Sequence, residues 1–126
     1  MNVMPIQKIV HSAILSLGSN IGARADNLNT AINQLGDFGV IQLQSSVYET
    51  SPWGNEEQAF FLNQAVELST ELSSIELLDK ILAIESGMGR VRDKKWESRI
   101  IDIDIVFFGD QVIETDRLIV PHPFMH

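Results

Sequence analysis

Residues 89–108 read Gly-Arg-Val-Arg-Asp-Lys-Lys-Trp-Glu-Ser-Arg-Ile-Ile-Asp-Ile-Asp-Ile-Val-Phe-Phe. In the second half of this stretch, Asp102 and Asp104 stand two residues apart, with isoleucines before, between and after them. Side chains at positions i and i+2 of a β-strand point to the same face of the sheet. The alternation therefore predicts a strand that holds both carboxylates on one face and turns its isoleucines into a core.

Two carboxylates side by side repel each other unless a cation lies between them. Magnesium suits such a pair, because it is bound through one or two carboxylates together with substrate phosphates. The first half of the stretch is a basic loop that begins with a glycine, and it holds five of the nine basic residues: Arg90, Arg92, Lys94, Lys95 and Arg99. The combination predicts an ATP–Mg²⁺ site for phosphoryl transfer. A half-exposed strand after a solvated charged loop is the simpler interpretation, and it remains open.

The composition indicates one acidic globular domain over residues 1–126. The net charge is −8 and the pI is about 4.7, which argues against general nucleic-acid binding and against docking on an anionic membrane. The chain has no cysteine, so disulfides, thiolate catalysis and Cys-ligated zinc are excluded. The N-terminus has no signal-peptide core and no segment is apolar over about 18 residues, so we expect a cytoplasmic protein, and a monomer.

Periodicity and turn residues predict an α+β order of strand, helix, strand, strand, helix, strand. This is the ferredoxin-like split β-α-β pattern, with a mostly antiparallel sheet, both helices on one face and the other face free for a ligand. The predicted segments are a strand at Ser12–Leu17, a helix through Leu28, Ala31, Ile32 and Leu35, strands at Val40–Thr50 and Phe60–Thr70, a helix after Ser73, a strand at Ile100–Phe108, and a short return strand at Val112–Ile113.

The second helix has a clear N-terminal signal, because Ser73 and Glu76 match a capping box. Its end is expected near Gly87 or Gly89, and its apolar stripe is predicted to contain Ile75, Leu78, Ile81, Leu82, Ile84 and Met88. Glu85 lies in the last turn, where the helix dipole disfavours a carboxylate. A surface salt bridge is the more common explanation for such a residue, and a ligand role is the alternative.

Two further features are ambiguous when taken alone. The turn Gly18–Gly22 lacks the lysine of a phosphate-binding loop and the third glycine of a dinucleotide fingerprint, so a tight connection is the better interpretation. Phe61 and Asn63 share one face of a predicted strand, next to a long loop that contains Trp53. An aromatic plate and an amide suit a flat, polar heterocycle. An exposed strand face with an incidental aromatic explains the same pattern.

Taken together, the motifs resemble the 6-hydroxymethyl-7,8-dihydropterin pyrophosphokinase family of folate biosynthesis. They occur in the family's order from about Ala13 to Met125, and they are Leu-Gly-Ser-Asn-Ile-Gly at 17–22, Tyr-Glu-Thr-Ser-Pro-Trp-Gly at 48–54, Phe-Leu-Asn at 61–63, Gly-Arg-Val-Arg at 89–92, Trp96, Arg-Ile-Ile-Asp-Ile-Asp at 99–104 and Val-Pro-His-Pro at 120–123. The arginine followed by the Asp-x-Asp pair and then Pro-His-Pro is the most specific part of the match.

The resemblance implies transfer of pyrophosphate from ATP to the hydroxymethyl group of the pterin, with release of AMP. It implies that Asp102 and Asp104 hold two Mg²⁺ ions, and that Arg90 and Arg99 are the main catalytic contacts to the phosphates. The other implied nucleotide contacts are Glu85, Arg92, Lys95, Trp96 and His122. The implied pterin contacts are Thr50, Ser51, Trp53, Phe61 and Asn63.

The resemblance also implies that family members continue beyond the position of His126, with an arginine that contacts ATP, an aromatic that stacks on the pterin and a further strand. We therefore expect this chain to lack the C-terminal part of the family fold. The alternative function is a non-catalytic, ferredoxin-like module that binds a nucleotide, or a truncated and weakly active form. An RNA-binding sheet is disfavoured by the acidic charge.

Overall fold

The computed structural model of the chain describes residues 8–51, 60–89 and 100–123. The elements in these ranges are β1 (His11–Ser19), α1 (Arg24–Leu35), a 3₁₀ turn (Gly36–Phe38), β2 (Val40–Gln44), β3 (Tyr48–Thr50), β4 (Phe61–Thr70), α2 (Ser74–Gly87), β5 (Asp102–Phe108), β6 (Ile113–Glu114) and β7 (Ile119–Val120). Within the same ranges, no helix has the length and apolar character needed to cross a membrane.

The main sheet has the order β2-β4-β1-β5, and β3 pairs with β4 next to the end of β2. Each of these pairings is antiparallel. The strands that follow one another across a helix are separated by a third strand in the sheet, as in the split β-α-β pattern. The predicted ferredoxin-like α+β fold is therefore confirmed.

The core lies between the helices and one face of this sheet. Strand β1 alternates in the expected way, because Ala13, Leu15 and Leu17 are fully buried while Ser16 is only partly so. The predicted stripe of α1 is confirmed, and its members pack into the same cluster as the inner residues of α2, β4 and β5. Burial of each large aliphatic side chain contributes about 1.5–3 kcal/mol, so this cluster sets the face on which the helices lie.

Helix α2 begins as the capping box predicts. The Ser73 hydroxyl accepts a hydrogen bond from the Glu76 backbone N–H at 3.2 Å, and the Glu76 carboxylate accepts one from the Ser73 backbone N–H at 2.9 Å. The helix ends at Gly87, within the predicted limits.

The predicted stripe of α2 is confirmed in part. Ile81 and Ile84 are buried, and its other members are partly buried: Ile75, Leu78, Leu82 and Met88. Leu77 and Glu85 are also buried, although neither belongs to the predicted stripe. The row from Leu77 through Ile81 to Glu85 follows the i+4 spacing, which places these three side chains on one face.

The single strand predicted over 40–50 is two strands, β2 and β3. The break occurs where the Ser45 hydroxyl accepts the hydrogen bond of the Ala65 backbone N–H, at 2.9 Å. The Gln64 side chain also donates to the Ser45 carbonyl, at 2.9 Å. The Ser45 backbone N–H still donates to the Ala65 carbonyl at 2.8 Å, so side chains replace only part of the backbone pairing here. The regular ladder resumes at Tyr48.

The turn predicted after β5 is present, with Gln111 N–H donating to the Phe108 carbonyl at 3.1 Å. The return strand, however, does not pair with β5. Strand β6 pairs with β7 in a separate two-stranded sheet, in which Ile113 lies opposite Val120. The residues after β7 then run beside β5, because the His122 backbone N–H donates to the Val106 carbonyl at 3.0 Å.

Candidate active site

The face of the sheet that the helices leave open carries a cleft of about 380 Å³. Its walls come from β1, β3, β4, β5 and the segment after β7. They consist of Ser16, Gly18, Thr50, Ser51, Phe61, Asn63, Asp102, Asp104, Val106 and His122. Residues far apart in the sequence, from 16 to 122, therefore contribute to one site.

Strand β5 brings the two predicted carboxylates into this cleft. Asp102 and Asp104 both line it, and Ile103 between them is turned into the core with 5% of its surface exposed. Their partners across β1 are Gly18 and Ser16, which are small and leave the carboxylates accessible from the open face. The two acidic groups thus lie on one face, as the alternation predicted.

His122 lies beside the carboxylate pair. Its Nε2 atom is 3.6 Å from Oδ1 of Asp104, which is ion-pair distance when the imidazole is protonated. Its backbone N–H is held by Val106 of β5, two residues beyond Asp104. This backbone hydrogen bond fixes the histidine at the edge of β5.

Glu85 does not face the cleft. Only 1% of its surface is exposed, and its carboxylate accepts a hydrogen bond of 2.8 Å from the backbone N–H of Ile103. The carboxylate is therefore not a surface group, as the explanation of a surface salt bridge requires, because it is buried behind β5. Its direct contact with a nucleotide stays a prediction. The observed contact instead holds the backbone between Asp102 and Asp104.

At the other end of the cleft, Phe61 and Asn63 lie on one face of β4. The Asn63 side-chain amide donates to the Thr50 hydroxyl at 2.8 Å and is 3.4 Å from the Tyr48 carbonyl oxygen. Thr50 and Phe61 are direct partners in the pairing of β3 with β4. An aromatic ring, an amide and a hydroxyl are thus grouped within one corner, which can stack on a flat ring and hydrogen-bond its edge.

Gly18 of β1 allows this corner to form. It lies opposite Asn63 in the pairing of β1 with β4. A Cβ atom at this position would lie 3.2 Å from Oδ1 of Asn63 and 3.3 Å from Cδ1 of Phe61. The absence of a side chain lets the phenyl ring and the amide lie close to the sheet.

The two ends of the cleft are separated by β1. Because β4 and β5 flank β1, the amide corner and the carboxylate pair lie two strand spacings apart, about 10 Å. This separation suits two ligands, or two parts of one reaction, held side by side on the sheet.

A second cleft, of about 270 Å³, adjoins the first and shares Asp104 and His122 with it. Its lining includes Thr115, Arg117 and Ile119 from the β6–β7 segment. The Arg117 guanidinium forms an exposed ion pair with Asp79 on α2. An exposed guanidinium beside a histidine is suited to anion binding, since it presents several donors in a planar fork.

Six of the predicted site residues lie outside the described ranges. They are Trp53 and the basic-loop residues Arg90, Arg92, Lys95, Trp96 and Arg99.

The Asp102–Asp104 pair suits a magnesium ion that substrate phosphates also bind. Within 8–51, 60–89 and 100–123, no three His, Asp or Glu side chains cluster closely enough to form a metal site of their own. Magnesium does not need such a cage, because it keeps several waters and is bound through one or two carboxylates together with substrate phosphates. The Asp102–Asp104 pair matches that requirement.

Three residues of the main cleft were not predicted from the sequence: Ser16, Gly18 and Val106. A signal for the first two exists, because they alternate with the buried Leu15 and Leu17 along β1. Strand period alone would have placed them on the open face beside the carboxylates. The same period places Val106 on the face of Asp102 and Asp104, but its apolar side chain gave no chemical reason to name it.

The fold and the cleft define a class: a ferredoxin-like α+β domain whose open sheet face carries a cleft beside a carboxylate pair. The model of the family 7,8-dihydro-6-hydroxymethylpterin-pyrophosphokinase (HPPK) matches residues 14–126. The chain belongs to this family.

Curated relatives support the same assignment. The chain is 46% identical over 116 residues to 2-amino-4-hydroxy-6-hydroxymethyldihydropteridine pyrophosphokinase of Bacillus subtilis, covering 90% of this chain and 70% of the relative. The protein of the same name from Methylorubrum extorquens is 42% identical, over 90% of this chain and 73% of its own length. That from Aquifex aeolicus is 46% identical, over 88% and 69%.

Among solved structures, the chain is similar to Plasmodium falciparum HPPK-DHPS crystallised with pteroate. The TM-score is 0.65 at 20% sequence identity, and the match covers 87% of this chain and 30% of that chain. At this identity the similarity shows the fold alone, and it agrees with the antiparallel sheet and two helices described above.

Proposed function

We propose that this chain transfers the pyrophosphoryl group of ATP to the hydroxymethyl group of 6-hydroxymethyl-7,8-dihydropterin, releasing AMP, as a step of folate biosynthesis. The observation that carries the proposal is a single cleft with Asp102 and Asp104 at one end and Phe61 and Asn63 at the other. The names of the relatives, all dihydropteridine pyrophosphokinases, support the choice of acceptor.

The pterin is proposed to bind in the corner formed by Thr50, Ser51, Phe61 and Asn63, with Trp53 as a further contact. The Phe61 ring supplies an apolar surface on which a flat heterocycle stacks. The Asn63 amide has both a donor and an acceptor, which match the alternating donors and acceptors along the pterin edge. Its bond to Thr50 fixes the orientation of that amide before the ligand arrives.

ATP is proposed to bind toward the second cleft, with its phosphates directed at Asp104 and His122, the two residues that both clefts share. Arg117 lies in that cleft and is available to exchange its partner Asp79 for a phosphate. The predicted contacts Arg90, Arg92, Lys95, Trp96 and Arg99 would complete the nucleotide site, and they concentrate positive charge where an acidic protein needs it.

Asp102 and Asp104 are proposed to hold two Mg²⁺ ions, and each ion would neutralise charge on the phosphates and help to align them. The protein's own contribution is to present both carboxylates from one rigid strand. Phosphoryl transfer depends mainly on in-line positioning and electrostatic stabilisation. The sheet provides this positioning, because both ends of the cleft belong to strands paired directly with β1.

The test is to incubate the chain with ATP, Mg²⁺ and the hydroxymethyl-dihydropterin, and to follow AMP by chromatography. We expect AMP release that requires the pterin and stops when EDTA removes the metal. Tight binding of ATP without AMP release would instead support the alternative, a non-catalytic nucleotide-binding module.

Asp104→Asn is the matching variant, since it keeps the size of the side chain and removes its charge. Because the carboxylate is proposed to hold the metal, we expect at least a hundredfold loss of turnover, equivalent to about 2.7 kcal/mol. The circular dichroism spectrum and urea midpoint should stay close to those of the parent chain. Full turnover in this variant would remove Asp104 from the site.

A further inference from the structure

Arg24 is the first residue of α1, and its side chain contacts β3 at Glu49 and the residue just before β4, Phe60. Its Nη1 atom donates to the backbone carbonyl of Phe60 at 2.6 Å and to Oε2 of Glu49 at 3.1 Å. The Arg24 side chain is 29% exposed, against 49% for that of Glu49. This contact is not explained by any role in the proposed chemistry, because Arg24 does not line either cleft at the site.

The two residues held by Arg24 immediately precede two residues of the site. Glu49 is followed by Thr50, and Phe60 is followed by Phe61; Thr50 and Phe61 pair directly across β3 and β4 and both line the main cleft. Strand β3 is only three residues long and lies at an edge of the sheet. A short edge strand has few ladder bonds of its own, so an added contact at its end has a large influence on its position.

We propose that Arg24 is a positioning residue that sets the affinity for the pterin by fixing Thr50 and Phe61 at the correct separation. The inference rests on the proposed function, because it takes the corner around Asn63 as the pterin site. Arg24 acts through the strand ends and does not itself touch the substrate.

The two contacts of Arg24 are not equivalent. An ion pair between exposed side chains contributes little, because water and salt screen it. A hydrogen bond from a charged guanidinium to a backbone carbonyl is stronger than a neutral one, and it acts directly on the chain at Phe60. The bond to Phe60 is therefore expected to carry most of the effect, and Glu49 mainly orients the guanidinium.

The kinetic test compares Arg24→Met with Glu49→Gln, using Lys8→Gln as the control. Lys8 forms an ion pair with Glu71 at 3.7 Å, which is more exposed than the Arg24–Glu49 pair and lies at the far end of β4. For Arg24→Met we expect the KM for the pterin to rise about tenfold, with the KM for ATP unchanged. Glu49→Gln should raise it about twofold and Lys8→Gln should leave it unchanged. Arg24→Lys, which keeps a charged donor, should recover part of the loss.

A second measurement does not depend on turnover. In ¹⁵N–¹H spectra, Arg24→Met should shift the amide signals of Thr50, Phe61 and Asn63, while that of Asp104 on β5 stays in place. If the parent chain releases no AMP but these signals move, the proposed function fails and the structural part of the inference stands. If the parent chain is active and the variant shows neither the rise in pterin KM nor the shifts, the inference about Arg24 is overturned.

Discussion

Because Gly18 has no side chain, Asn63 and Phe61 can pack closely in the corner that is proposed to bind the pterin. The residue faces Asn63 across the strand pair and lies beneath the Phe61 ring. Any Cβ there would approach both groups at 3.2–3.3 Å, closer than most side-chain contacts in proteins. The position therefore requires a glycine because of close packing, and the requirement is tied directly to the proposed binding site.

Gly18→Ala is expected to raise the KM for the pterin by about tenfold, because the Asn63 amide and the Phe61 ring would have to move outward. The KM for ATP should change little, because the atoms nearest to that Cβ belong to Asn63 and Phe61 and none of them to Asp102. Gly36→Ala is the control: a Cβ at Gly36 meets nothing within 4 Å. Steady-state kinetics with each substrate varied in turn would measure the difference. An unchanged pterin KM in Gly18→Ala would contradict the assigned packing.

At the scale of single elements, the C-terminal half of α2 helps to hold the strand that carries the two site carboxylates. The N-terminus of α2 is fixed by the capping box, and in its last turn Glu85 contacts the backbone of β5. The N–H of Ile103 lies between the two site carboxylates and has its hydrogen-bond partner on the helix. Helix and strand are thus joined at the point where the proposed metal ligands stand.

Removing the acceptor at position 85 is expected to harm both stability and turnover. Glu85→Leu leaves the buried Ile103 N–H without this partner, which costs about 1–3 kcal/mol of unfolding free energy. Because Asp102 and Asp104 flank Ile103, kcat should also fall. Glu85→Gln is the matched control, since its carbonyl oxygen can still accept the bond. Urea unfolding and AMP release would be measured for both, and equal kcat values for Leu and Gln would argue against a positioning role.

The other end of α2 makes stability depend on pH. The hydrogen bonds that Glu76 exchanges with Ser73, first that from the backbone N–H and then that from the side chain, lower the pKa of the Glu76 carboxyl. A carboxyl whose pKa is lower in the folded state stabilises the fold above its unfolded pKa, and the contribution is lost as the pH falls through the folded value.

We therefore expect the stability difference between the parent chain and Glu76→Gln to shrink as the pH falls below about 4.3, the usual pKa of glutamate. Urea midpoints at pH 7 and at several acidic pH values would test this. Ser73→Ala, which removes the cap and costs about 1 kcal/mol, is the companion variant. In the Ser73→Ala background, Glu76→Gln should still change the pH dependence, but by less, because the bond from the side chain is lost while that from the backbone N–H remains. A constant difference at all pH values would contradict the expectation.

At the scale of the whole molecule, the open face of the sheet separates the two proposed substrates. Strand β1 runs between the amide corner on β4 and the carboxylate pair on β5, and it is paired with both. The buried Leu15 and Leu17 hold β1 against the helices on its other face. A rigid central strand of this kind keeps the donor and acceptor sites at a fixed distance, which in-line transfer requires.

This arrangement predicts that variants at the two ends affect different substrates. Asn63→Ala should raise the KM for the pterin by about tenfold and leave that for ATP unchanged. His122→Ala should raise the KM for ATP by about tenfold and leave that for the pterin unchanged. In the double variant the effects should multiply, because the two sites are about 10 Å apart and share no contact. Initial-rate measurements over a grid of both substrate concentrations would provide the KM for the pterin and the KM for ATP in each variant. A rise in both KM values in either single variant would contradict the separation.

Features that depend on local spacing along the chain could be predicted before the fold was known. Alternation around Asp102 and Asp104 placed both carboxylates on one strand face, and the pattern Ser73–Glu76 fixed the start of α2. The order of elements was sufficient to predict the ferredoxin-like fold. These properties follow from the two- and 3.6-residue periods of strands and helices, which can be read within a window of about ten residues.

Features that depend on contacts between distant parts of the chain could not be predicted in this way. The position of Glu85 in the last turn favours a surface salt bridge over a ligand role, but packing of α2 on β5 buries it against Ile103. The roles of Gly18 and Arg24 depend on atoms 25 to 45 positions away, and no local period encodes such distances. Side-chain direction follows from backbone period, whereas the partner that a side chain meets depends on how the sheet and helices assemble.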